Sequence, residues 1–204
     1  MDGFIRLDSY RNGETMCALC DGRSIDDYVL GVEGLIDRYG WALQYVNSDA
    51  DTVFGASSAR VDNDAVYGDL VHEDLVYEEH IIPAFCYTVG LTALGHPELI
   101  LTGRSASESA SVLNILARRV LLDGHSLEAG CECSAGGLGL SFVDVAEPGD
   151  WLLMAHRVYP GRDVGAVQAV WRDVEGNLPW EGPFPSTVVQ PVLGPPPGWD
   201  EEFD

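Results

Sequence analysis

The chain has 204 residues, 33 acidic against 11 basic, for a formal net charge of −22, and every base is arginine. Without lysine there can be no lysine Schiff base, no phosphate-loop lysine and no lysine acetylation, and a charge of this sign repels phosphate backbones, so direct nucleic-acid binding is not expected. Hydrophobic residues make up 46% of the chain but no run reaches the roughly 18–20 needed to span a membrane, and Asp2, Arg6, Asp8, Arg11 and Glu14 break any leader-like core, so a cytoplasmic protein is expected. Arginine-only usage fits a high-GC coding source such as an actinobacterium or its phage.

In chain order, residues 1–23 read as an irregular arm ending in the Cys17–Gly22 turn. Ser24 with Asp27 forms a capping pair, and Ile25, Tyr28, Val29, Val32, Leu35, Ile36 and Tyr39 recur at spacings of three and four, which predicts an amphipathic helix closed by Gly40. Trp41–Val46 follows as a strand. Between 47 and 82 nine acids face one base, Arg60, which reads as an acidic insertion whose second half has enough Leu, Val and Tyr for a strand or short helix.

Ala84–Gly90 alternates Phe85, Tyr87 and Val89 with the smaller Ala84, Cys86 and Thr88, the pattern of a strand. Glu98–Thr102 is a second, more deeply buried strand. Ser105 with Glu108 makes a second capping box, and the apolar spacing from Ala110 to Leu121 predicts a helix ending at Gly124. Leu138–Val145 and Ala166–Asp173 are further strands, with a short amphipathic helix over 150–159 between them. Gly136-Gly137 has hairpin composition rather than that of a phosphate loop, and Val174–Asn177 reads as another hairpin turn. Pro179, Pro183, Pro185, Pro191 and Pro195 to Pro197 send the remainder over the surface in extended form. The expected fold is α+β: one domain over 24–194 with 47–82 inserted, a mixed or mostly antiparallel sheet, two main helices on one face, and a Pro-rich acidic tail at 195–204.

Several motifs together carry a resemblance: Cys20-Asp21-Gly22, Tyr39-Gly40-Trp41, Tyr87 to Leu91, His96-Pro97-Glu98-Leu99, Leu113-Asn114, Gln168, Trp180-Glu181 and Gln190-Pro191. Over about Cys17 to Gly194 the chain resembles the bacterial domain-of-unknown-function family 4262. The resemblance implies a shared fold and an intracellular bacterial setting, and no mechanism.

Chemistry-bearing candidates are few. His96, before a proline and beside Glu98, could act as an acid/base pair of a hydrolase or transferase, with Cys86 or Thr88 as nucleophile and a pocket lined by Tyr87, Thr88, Asn114, Gln168 and Trp180. The competing reading makes Gly-His-Pro a corner whose imidazole ties backbone groups. Cys17, Cys20, Cys131 and Cys133 could supply four thiolates to tetrahedral zinc, against a reading as ordinary reduced thiols; no other cofactor is implied. The leading expectation is a non-enzymatic module that binds a protein partner of basic character through residues 83–103 or the acidic stretch at 47–82. An acidic mimic of nucleic acid is the lesser alternative.

Overall fold

Helix formation at residues 25–39 and 106–123 is set locally, by caps and apolar spacing, before any tertiary contact is considered. A computed structural model describes residues 24–46, 83–181 and 190–198, together with a small ladder in which Tyr10 faces Thr15 and Arg11 faces Glu14. The acidic insertion at 47–82, Cys17, Cys20 and the end of the tail lie outside the described residues.

Helix α1 (Ile25–Tyr39) opens where the Ser24 hydroxyl accepts from the Asp27 N–H at 3.1 Å, and it closes on Gly40, whose φ of 89° lets its N–H reach the Ile36 carbonyl. Strands β1 (Ala42–Val46), β2 (Phe85–Val89) and β3 (Glu98–Thr102) then pair antiparallel in succession, with a single 3₁₀ turn at Leu91–Leu94 between β2 and β3. Helix α2 (Ala106–Asp123) begins with the reciprocal capping box of Ser105 and Glu108 and ends on Gly124. Strands β4 (Glu132–Ala135) and β5 (Leu138–Asp144) form a hairpin whose two-residue turn, Gly136 at φ 58° and Gly137 at φ 83°, demands left-handed backbone at both positions. Helices α3 (Pro148–Trp151) and α4 (Leu153–Val158) precede β6 (Ala166–Trp171).

The six strands lie in the order β1-β2-β3-β6-β5-β4, antiparallel throughout except at the β3–β6 junction, where Glu98, Leu99 and Ile100 run parallel to Ala166, Val167 and Gln168. This is the mixed sheet of an α+β domain. Sequence pattern puts both main helices on one face, and here the structure differs. Helix α2 covers Cys86, Leu99, Leu101, Val167, Ala169 and Trp171. Helices α1 and α4 cover Phe85, Tyr87, Val89, Ile100 and Ala166 on the opposite side. The reason is legible in β2, β3 and β6: every residue in them is buried, so each face is apolar and each needs a cover.

Two finer expectations are also revised, and one strand is not foreseen. The helix expected over 150–159 is broken at Leu152, whose φ of −102° and ψ of 47° leave the helical region. Strand β6 stops at Trp171, and the turn at 173–177, stapled by the Asp173 carboxylate accepting from the N–H groups of Glu175 and Asn177, leads into a further turn at 178–181 rather than a returning strand. Strand β4, which carries Cys133, is missed by periodicity because its alternation involves mostly small and polar residues.

Gly90 sits at φ 143°, and a Cβ there would lie 2.7 Å from the Gly40 carbonyl oxygen and 2.8 Å from the Trp41 Cα. Gly176 also has a positive φ, 89°, but nothing lies within 4 Å of its Cβ position. Gly90→Ala is therefore expected to destabilise the fold by about 1–3 kcal/mol more than Gly176→Ala, read as a difference in urea midpoint at equal slope.

Candidate functional site

The Gly-His-Pro corner between β2 and β3 is where the polar residues singled out by sequence concentrate. Glu98, the first residue of β3, is fully buried, and burying a carboxylate without compensation is costly. Compensation is complete here. Its two oxygens accept five hydrogen bonds: from the Thr88 hydroxyl at 2.6 Å, the Gly90 N–H at 2.9 Å, the Leu91 N–H at 3.3 Å, and the Thr92 N–H and hydroxyl at 2.9 and 2.8 Å. Three successive backbone N–H groups at the start of the 3₁₀ turn thus form an anion-accepting nest, filled by the protein's own side chain. Thr88 in turn accepts from the Leu99 N–H at 2.8 Å, so the carboxylate, the threonine and the ends of both strands form one network.

His96 is committed elsewhere. The Leu127 N–H donates to its Nε2 at 2.9 Å, which leaves the proton on Nδ1, and Nδ1 donates to the Pro97 carbonyl at 2.7 Å. Both ring nitrogens are occupied by backbone partners, and the ring ties the corner to the loop that follows α2. None of the hydrogen bonds among the described residues joins His96 to Glu98.

The other sequence candidates spread over the molecule. Tyr87 lies on the α1/α4 face, where its hydroxyl accepts from the Met154 N–H at 3.1 Å, and burial raises its phenol above the ordinary value. Asn114 on α2 accepts from the Trp41 indole at 2.9 Å. Gln168 donates to the Thr102 hydroxyl at 3.0 Å and the Pro191 carbonyl at 2.7 Å while accepting from the Leu193 N–H at 2.7 Å. Trp180 packs against a third small cluster of Val143, Val170 and Leu178. Cys86 is buried against α2, and loss of solvent pushes its thiol up to about 12, the opposite of what a nucleophile needs.

Sequence reasoning assigned no role to Gln190, which binds the end of the strand that carries Gln168. Gln190 accepts from the Trp171 N–H at 2.8 Å and returns a bond from its amide to the Trp171 carbonyl at 2.9 Å, so a side-chain amide stands in for a neighbouring strand. The β3–β6 pairing ends at Ile100 and Gln168, and residues 190–193 occupy the fork beyond it. Two glutamines near otherwise apolar segments were the available signal.

The family model for DUF4262, a domain of unknown function, matches residues 35–185, about three quarters of the chain. The chain belongs to the DUF4262 family. No curated protein and no solved structure matches it. The DUF4262 match takes in the Glu98 nest, His96, Asn114 and Gln168, and it ends before Gln190.

Among the described residues, a shallow open depression of about 210 Å³ lies between the first turn of α2 and the β4–β5 turn, lined by Ser107, Glu108, Ser111, Val112, Gly136 and Leu138. None of the sequence candidates lines it. Of the four thiols considered for zinc, Cys131 and Cys133 are described, near the sheet edge, and no group of three or more metal-binding side chains occurs among the described residues. No helix there is long and apolar enough to cross a membrane.

Two measurements follow from this geometry. Glu98→Gln turns an amide NH₂ towards backbone donors and is expected to cost about 3 kcal/mol in chemical denaturation, whereas a surface Glu147→Gln should cost almost nothing. The Cys86 thiol, ordinarily near 9 and held at about 12 in the fold, favours the protonated native state. Its contribution to stability is thus complete below about pH 9 and drains away as pH rises towards about 12. Stability measured across that window should fall, and Cys86→Ala should flatten part of the fall.

Proposed function

We propose that the chain is a non-enzymatic, cytoplasmic protein-binding module whose acidic α1 face receives a basic partner. The observation that carries this reading is the outer surface of α1: Asp26, Asp27, Glu33 and Asp37 are all exposed, and among the described residues no ion pair neutralises them. The described arginines lie on both sides of the sheet: Arg104 lies over the Trp171 ring at 3.8 Å, Arg172 pairs with Glu132 and Glu181, and Arg38 stands in the last turn of α1 itself. An exposed acidic patch of this kind speeds association with a cationic surface and selects against acidic ones.

Support also comes from how the buried polar groups are used. Glu98, His96, Gln168 and Gln190 each have backbone partners that hold segments together, and Cys86 and Tyr87 are shifted away from reactivity. The hydrolase or transferase reading on His96 and Glu98 gains nothing from this arrangement, because the two side chains serve different loops. Irregular spacing of the α1 acids likewise gives no phosphate-like row for a nucleic-acid mimic.

The test is capture from source lysate at low and moderate salt, using the wild type and an Asp26→Asn/Asp27→Asn/Glu33→Gln/Asp37→Asn variant. A reproducible basic partner, weakened at least tenfold by the four substitutions and by 0.3 M salt, is expected. No partner, or one bound equally by the variant, would overturn the reading.

A further inference from the structure

The β4 edge presents two free thiols, of which Cys133 also packs against the α2-side core. Cys133 lies opposite Leu140 in the β4–β5 ladder. The ladder continues one residue beyond β4, where the Phe142 N–H donates to the Cys131 carbonyl at 3.0 Å. Leu140 and Phe142 both belong to the α2-side core, and residues two apart on a strand share a face, so both cysteines stand on the α2 side of the sheet. Cys131 is exposed and Cys133 half-buried, and both are free thiols. Among the described residues β4 has a partner strand on one side only, so its backbone can adjust without disturbing a second ladder.

Distances decide what such a pair can do. Two residues along a strand separate the Cα atoms by about 6.6–6.8 Å. A disulfide prefers about 5.5–6 Å and reaches its limit near 6.8 Å, so direct S–S closure would strain the strand. A bridging ion with two thiolate bonds of about 2.3 Å adds a span of about 4.6 Å between sulfurs when the bonds are nearly linear, and needs no such contraction. Zinc wants four donors, and no third ligand joins the pair among the described residues. Arg119 supplies the complementary charge: its guanidinium donates to the carbonyl of Ser134, the residue after Cys133, at 2.9 Å, beside the net negative bis-thiolate that metal binding would create. Glu132, between the two cysteines, is held away by Arg172 at 2.7 Å.

We propose that Cys131 and Cys133 form a two-coordinate site for a soft monovalent ion, copper(I) being the ion this donor pair selects. Binding breaks two S–H bonds, forms two Cu–S bonds and releases two protons to solvent; no oxidation state changes and no co-reactant is needed.

Anaerobic titration with copper(I) against a chromophoric chelator tests this on the full chain. A Cys17→Ser/Cys20→Ser variant, which removes the competing dithiol, should hold one equivalent, and X-ray absorption should count two sulfur neighbours. Adding Cys131→Ser or Cys133→Ser to that background should weaken uptake at least tenfold, with unchanged circular dichroism. The proposal fails if the Cys17→Ser/Cys20→Ser variant holds no copper, since the site would then be shared with the arm. It fails equally if three or four sulfurs are counted, or if loss of Cys131 and Cys133 leaves uptake unchanged.

Discussion

Three strands, β2, β3 and β6, are buried on both faces, and most of the architecture answers to that constraint. A sheet whose centre is apolar above and below must be covered twice, so α2 occupies one side while α1 and the α3–α4 pair occupy the other. On β2 the small Cys86 lies towards α2 and the rings of Phe85 and Tyr87 towards α1, where Phe85 meets Trp151 edge-on at 5.3 Å.

A doubly covered sheet leaves the chain with a polar problem at every place where a strand ends inside the protein. Four side chains resolve it. Glu98 satisfies the N–H groups released at the β2–β3 corner, His96 links that corner to the loop after α2, and Gln168 and Gln190 close the fork where β3 and β6 part. Each is a long or ring-bearing polar residue doing work that backbone would do in a regular ladder. Residues that look like chemistry when met in sequence are in this family member the means by which irregular backbone is buried.

Legibility from sequence tracked the range of the interaction. Ser24, Ser105, Gly40 and Gly124 announce both long helices because caps act within one turn. The twin glycines announce the β4–β5 turn for the same reason, and the α+β class follows from element order. What could not be read was relational. Nothing local distinguishes a glutamate that hydrogen-bonds five donors from one that transfers protons, and nothing in the spacing of Gln168 and Gln190 announces that each serves the other's segment. The side of the sheet taken by α2 was recoverable only by noticing that both faces of Ala84–Gly90 are apolar.

The lone parallel junction divides the sheet into two antiparallel halves that are contiguous in sequence, β1 to β3 and β4 to β6. Each half can assemble from neighbours along the chain, whereas their union must close a long loop between Ile100 and Gln168 for only three residue pairs of ladder. Loop-closure entropy is therefore greatest at this seam, larger than at β1–β2, where Val46 and Phe85 lie closer in sequence, so each residue pair of the seam returns less net stability than one inside either half.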